Sequence, residues 1–328
     1  MRYDYLFVWA DRDRVDCDIL DKCRLLYDTE RYSQCADDIC TYLNSDINEN
    51  ISKTGSLEEL MKMMCMSLYM SGRYHEASCC LDSSTSHIFK GKALWWVDWL
   101  EGWLLIKKGI YRVAVERASR SIKRMKANSQ LIGMPQLLTM KAMAKYRMGH
   151  GVYAEADLEK AITLSNLIGD MESEIVANNS MGTVLMGSGK YAESLQYYEK
   201  SLKSLDSEAQ PRRTASILLN LSIVYWKTGR MALANECAGK VIKVSSNFAD
   251  QYFFSAATLV KARCEISLCK CIKASSIGKQ LLHDQNNDNN PRLEALILEL
   301  NGDVSTISGN NESATRYYTR ALSLGRAL

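Results

Sequence analysis

An all-α solenoid of about eight helix–turn–helix repeats is what this sequence predicts, on three observations. The 328 residues contain only three prolines, and proline is the residue a helix interior tolerates least. Glycines recur every 40 residues at Gly109, Gly149, Gly189, Gly229 and Gly309, with Cys269 in the one slot that lacks glycine. Small residues keep the same period around them. Ala114, Ala154, Ser194, Ala234, Ala274 and Ala314 follow by five residues, and Gly102, Ala142, Gly182, Ser222, Ala262 and Gly302 precede by seven. A fixed period of this length marks a repeat architecture, in which each unit is too small to bury its apolar face alone and stacks on the next.

The elements follow from that register. Each repeat is two helical segments around a turn, where glycine tolerates positive φ. The small residues on either side let two helix backbones approach closely. Toward the N-terminus the period loosens, but "MSGRYHEASCCL" (70–81) places Gly72, Tyr74 and Ala77 in the same roles, and "YDTERYSQCADDI" (27–39) places Tyr32 and Cys35 there with Glu30 at the turn. The repeats run over 16–45, 57–86, 94–128, 135–170, 175–208, 213–247, 254–285 and 292–328, a single solenoid domain. Ser56-Leu57-Glu58-Glu59 reads as a capping box, and Pro291 after Asn290 reads as a first helical residue. Glu101, Lys141, Lys261 and Asn301 stand where an apolar residue is usual, just before the first small residue. Over 136–153, "RMGHGVY" offers two glycines, and the first helix reads as slipped by about two residues.

The run Gly182…Gly189-Lys-Tyr191…Ser194…Tyr198…Ser201 resembles a tetratricopeptide repeat. "KAITLSNLIGD" (160–170) is similar to the variant with a longer second helix and a period near 40. "PRLEALILELNGDVSTISGNNESATRYYTRALSLGR" (291–326) resembles the repeat arrays of bacterial signalling and transcription regulators. The resemblance covers the whole chain. It implies a right-handed α-α superhelix and a concave groove of first helices that holds a protein or peptide segment. It also implies an attached or associated output domain, with transcription or signalling as the output.

"LWWVDWLEGW" (94–103) concentrates four of the six tryptophans. Neighbours on one helix face are three or four apart, so Trp96, Trp99, Trp103 and Ile106 form a stripe. The resemblance puts that stripe on the groove side, together with Tyr69, Met143, Tyr146, Arg147, Asn179, Ile223, Trp226, Lys227 and Arg263. Two readings stand side by side. The aromatics are a floor for a bound segment, since Trp, Tyr and Arg dominate interface energetics, or they are core between neighbouring helices. Asn179 is a candidate for a ligand's backbone, and Arg147, Lys227 and Arg263 for an acidic group. The alternative for each is a solvated side chain.

Charge is uneven. Residues 1–60 carry fourteen acids and seven bases, whereas residues 90–149 carry thirteen bases and three acids. The basic run "KKGIYRVAVERASRSIKRMK" (107–126) alternates with apolar residues and lacks any recognition motif. A solvated face is the first reading, an acidic protein partner the second and nucleic acid the third. Eleven cysteines at irregular spacing read as the reduced thiols of a cytoplasmic protein, since a chain of this size does not need a disulfide framework. Cys264, Cys269, Cys271 and His283 lack the paired spacing of a zinc site, so no metal or other cofactor is expected. No phosphate loop, nucleophile elbow or paired-carboxylate motif appears, which argues against an enzyme. No stretch of about 18 apolar residues exists to span a membrane. The last helix leaves Leu322, Leu324 and Leu328 to be covered, so the C-terminal face is expected to continue into further chain or a second copy. A scaffold acting through its ends is therefore the alternative function.

Overall fold

The computed structural model describes residues 17–44, 57–87, 94–207, 210–246, 248, 251–285 and 291–327. Among them are sixteen helices that pair as the period predicts. The pairs are α1 (Cys17–Asp28) with α2 (Tyr32–Asn44), α3 (Leu57–Met70) with α4 (Tyr74–His87), α5 (Trp95–Lys107) with α6 (Tyr111–Ala127), and α7 (Met134–Arg147) with α8 (Gly151–Ile168). Then come α9 (Met171–Gly187) with α10 (Tyr191–Lys203), α11 (Pro211–Lys227) with α12 (Met231–Ser245), α13 (Tyr252–Ser267) with α14 (Cys271–Gln285), and α15 (Pro291–Ile307) with α16 (Asn311–Ala327). Ser56 of the expected capping box, Asn290 and Leu328 lie outside the described residues.

All eight turn positions take the left-handed conformation, including the two that lack glycine: Glu30 at φ 57° and Cys269 at φ 61°. At Gly109 the backbone amide donates to the Ile106 carbonyl at 3.1 Å and that of Ile110 to Leu105 at 2.9 Å. Two otherwise orphaned carbonyls at the helix end are thus satisfied. A side chain in this conformation costs roughly 1–2 kcal/mol.

The small residues set how closely the paired helices approach. A side chain at Gly182 would meet the Tyr198 ring at 2.6 Å, and one at Gly302 the Tyr318 ring at 2.5 Å. At Gly102 the obstacle is the Met140 thioether at 2.5 Å, from the first helix of the following repeat. The Ser194 hydroxyl donates to the Gly182 carbonyl at 2.8 Å across the same seam. The slip expected over 136–153 is absent. Ala142 is fully buried as the register requires, Gly149 forms the turn at φ 83°, and Gly151 merely opens α8.

The chain forms two compact units, Met1–Ser180 with Glu208–Gln210, and Met181–Ser207 with Pro211–Leu328. In the first unit, first helices stack on one another (α1 on α3, α5 on α7) and second helices pack on the following first helix (α2 on α3, α6 on α7). The second unit repeats that pattern with α11, α13 and α15 stacked and α12 and α14 packed between them. The core of the first unit has two parts. One joins α1–α4 to Trp96, Leu100 and Leu104, and the other joins α6–α9 through Met125, Leu137, Met140 and Ala161. Trp95 and Trp99 pack against both, which makes α5 the joint between them.

Two of the charged departures from the apolar pattern, Glu101 and Lys141, are paired across the seam. Glu101 forms an ion pair with Arg117, and one repeat later the signs are reversed, with Lys141 3.6 Å and Lys145 2.6 Å from Asp157. Burial raises the Glu101 carboxyl's pKa while Arg117 opposes the shift, and burial lowers that of Lys141 while Asp157 opposes it. In the second unit buried Asn301 donates to the Gly278 carbonyl at 3.1 Å.

Candidate functional site

The four clustered tryptophans have different surroundings. Trp96 is only 6% exposed and sits among the buried residues of α3 and α4. It is core, and the expectation that it floors an open groove is corrected: at its second residue, α5 is already packed on the preceding repeat. Trp95 lies against Gly133, where any side chain would strike the indole at 2.1 Å. That glycine, at φ 92°, caps the start of α7. Trp95 thus fixes where α7 begins, with the Lys62 ammonium 5.8 Å from its ring.

Trp99, Trp103 and Tyr69 are half-buried and in contact. The Tyr69 and Trp99 rings meet edge to face at 6.3 Å, and Trp99 and Trp103 at 6.5 Å. Tyr74, the first residue of α4, extends the row at 5.3 Å from Tyr69, and the Lys107 ammonium sits 4.7 Å from the Tyr74 ring. Edge-to-face pairs contribute about 0.5–1.5 kcal/mol each beyond burial, so the row holds its shape without a ligand. The Trp103 indole N–H is buried with no acceptor in reach. Burial holds the Tyr69 phenol well above its ordinary pKa, with Tyr74 adding to the shift. Burial likewise pulls the Lys62 ammonium down, against Glu59.

Of the other residues expected in this unit, Ile106 is half-buried and packs on the second core, Met143, Tyr146 and Asn179 are half-buried, and Arg147 is exposed. In the second unit Ile223 and Trp226 are half-buried. Arg263 stacks on Trp226 at 4.9 Å and lies 3.4 Å from Glu299, while the Lys227 ammonium is 5.4 Å from the same indole. The Arg263 guanidinium, a candidate for a ligand's acidic group, thus already faces a carboxylate and a ring, while its buried Nε has no acceptor.

The basic run is partly neutralised by α5. Arg124 is 2.7 Å and Arg117 3.3 Å from Asp98, and Arg112 pairs with Glu116 at 3.2 Å. This pairing went unforeseen; the charge reversal between Glu101–Arg117 and Lys141–Asp157, at matching positions of adjacent repeats, was the signal that could have shown it. Among the described residues no three Cys, His or acidic side chains come together as metal ligands, and no helix is long and apolar enough to cross a membrane.

Comparison with known proteins agrees with this architecture. Residues 172–246 match the tetratricopeptide repeat family. No curated protein matches the sequence. Among solved structures, the apo form of the quorum sensor NprR from B. thuringiensis is similar at a TM-score of 0.58 and 13% identity, covering 94% of this chain and 97% of that one. The APC/C hetero-tetramer Cut9-Hcn1 is similar at a TM-score of 0.66 and 13% identity, covering 93% of this chain and 52% of that one. A signal transduction ATPase with a tetratricopeptide repeat sensor, PH0952 from Pyrococcus horikoshii, is similar at 0.59 and 13% identity, covering 93% and 46%. The chain therefore spans about half the length of the last two. Residues 172–246 thus match the tetratricopeptide repeat family, and the described residues have the tetratricopeptide solenoid fold.

Proposed function

We propose that the chain is a non-catalytic binding module whose first unit receives a segment of a partner protein on the row formed by Tyr69, Trp99 and Trp103. The observation that carries this reading is the row itself. Three large aromatic side chains on the first helices of adjacent repeats are in ring contact yet keep part of their surface uncovered. Half-covered Trp and Tyr are the side chains most often energetic when a partner completes their burial. Ile106, Tyr146, Arg147 and Asn179 would extend the contact, with Arg147 and Asn179 supplying polar ends. Two of the similar structures are a quorum sensor and a signalling ATPase with a repeat sensor. Their likeness favours a regulatory role, in which binding adjusts an associated output such as transcription.

A selection from a random dodecapeptide phage library tests the reading with no partner specified in advance. Wild type should enrich a common motif that folded Trp99→Ala fails to retain. No enrichment, or the same pool on both proteins, would overturn it. The second reading, association through the ends, rests on α16, where Leu322 is 55% and Tyr318 38% exposed. It predicts a concentration-dependent mass in sedimentation that Leu322→Lys abolishes.

A further inference from the structure

Seven residues before each turn, the seam between paired helices admits only a small side chain. The last six repeats place Gly102, Ala142, Gly182, Ser222, Ala262 and Gly302 there, while the first two place thiols, Cys23 and Cys65. Across the seam from Cys65 stands Cys80 of α4, with the two sulfurs 3.3 Å apart and both side chains fully buried. This is not the default of the repeat. The residues matching Cys80 in the six later repeats are Arg117, Asp157, Tyr197, Cys237, Ile277 and Tyr317. In the first repeat the Cys35 thiol instead donates to the backbone carbonyl of Cys23 at 3.4 Å.

We propose that Cys65 and Cys80 are a modification site, at which a hydroperoxide joins α3 to α4 through an intrachain disulfide. A disulfide bond is about 2.05 Å long, so the sulfurs must close by roughly 1.3 Å, within reach of side-chain rotation and a small helix shift. In the closed repeat the pair is inert. Burial first, and the Cys80 thiol second, hold the Cys65 thiol well above its ordinary pKa, and the thiolate is the reactive form. Oxidation therefore proceeds from states in which α3 and α4 have locally parted. One thiolate attacks a peroxide oxygen; the S–O bond forms, the O–O bond breaks, and the leaving hydroxide takes up the thiol's proton as water. The second sulfur then displaces the sulfenic hydroxyl; the S–S bond forms, the S–O bond breaks, and a second water leaves. Each sulfur loses one electron and the peroxide gains both.

The position gives the cross-link a consequence. Cys65 lies one helical turn before Tyr69 on α3, and Cys80 shares its core with Trp96 and Leu100. The disulfide would lock the helix pair on which the tryptophan helix is seated, whatever that helix binds.

The test treats the full chain with hydrogen peroxide, blocks remaining thiols with N-ethylmaleimide under denaturing conditions, and maps peptides without reduction. The expected product is a Cys65–Cys80 cross-link that forms several-fold faster in sub-denaturing urea and is reversed by dithiothreitol. It should be absent from Cys65→Ala, a residue the same seam position already accepts at Ala142 and Ala262. Recovery of both residues as maleimide adducts, their separate conversion to sulfinic acids, or pairing of Cys80 with another cysteine would overturn the proposal.

Discussion

Tyr69 in the first unit and Trp226 in the second occupy the same place in their repeats, three residues before the turn, and meet opposite neighbours. The Tyr69 ring meets Trp99 of the next repeat, which meets Trp103 in turn. The Trp226 ring meets Arg263 of the next repeat, which meets Glu299 in turn. In the second arrangement a cation lies on the ring and a carboxylate on the cation. In the first, the row continues from ring to ring, with Lys62 by the Trp95 ring and Lys107 by the Tyr74 ring. One slot of one repeat motif thus leads to a ring–cation–carboxylate chain in one unit and to a row of aromatic rings in the other.

Substitutions can break or sharpen this contrast. The largest effect is expected from Trp96→Ala, since the side chain is core; it should cost about 3–5 kcal/mol in denaturant unfolding. A cost near zero would return Trp96 to the receptive face. In the second unit, Gly182→Val drives a side chain into the Tyr198 ring and should cost about 1–3 kcal/mol. Gly239→Ala, with nothing within 4 Å of the added carbon, should instead stabilise by about 0.5–1 kcal/mol. Glu101→Lys sets two cations face to face at a partly buried site and should cost about 1–2 kcal/mol. The double substitution Glu101→Lys with Arg117→Asp copies Lys141–Asp157 and should recover most of that loss, a coupling a double-mutant cycle measures directly. Cys269→Gly removes a left-handed cysteine and should add up to about 1 kcal/mol, offset in part by the freer unfolded chain. No gain would mean that the turn sets Cys269 at no cost.

The architecture was legible because the turn and the seam each impose a steric demand that few residues meet. Gly109 to Gly309 and the small residues around them reveal the period, and the same demand places Glu30 and Cys269 despite their chemistry. The site was legible only in part. Spacing puts Trp96, Trp99 and Trp103 on one helix stripe, but which of them faces the preceding repeat depends on packing against α3 and α4. The stripe alone therefore could not separate buried Trp96 from half-covered Trp99 and Trp103. Trp95 was missed because its partner, Gly133, lies outside the repeating pattern. The contact of Arg263 with Glu299 was missed for a similar reason, since Glu299 sits in the next repeat, where a single-repeat reading does not look.

Hydrogen exchange on the protein bound to its phage-selected peptide tests the central claim most directly. Binding on the aromatic row predicts slowed amide exchange in α3 and α5, lost with Trp99→Ala and kept with Trp226→Ala. Protection confined to α11, α13 and α15, or binding lost with Trp226→Ala and kept with Trp99→Ala, would contradict it.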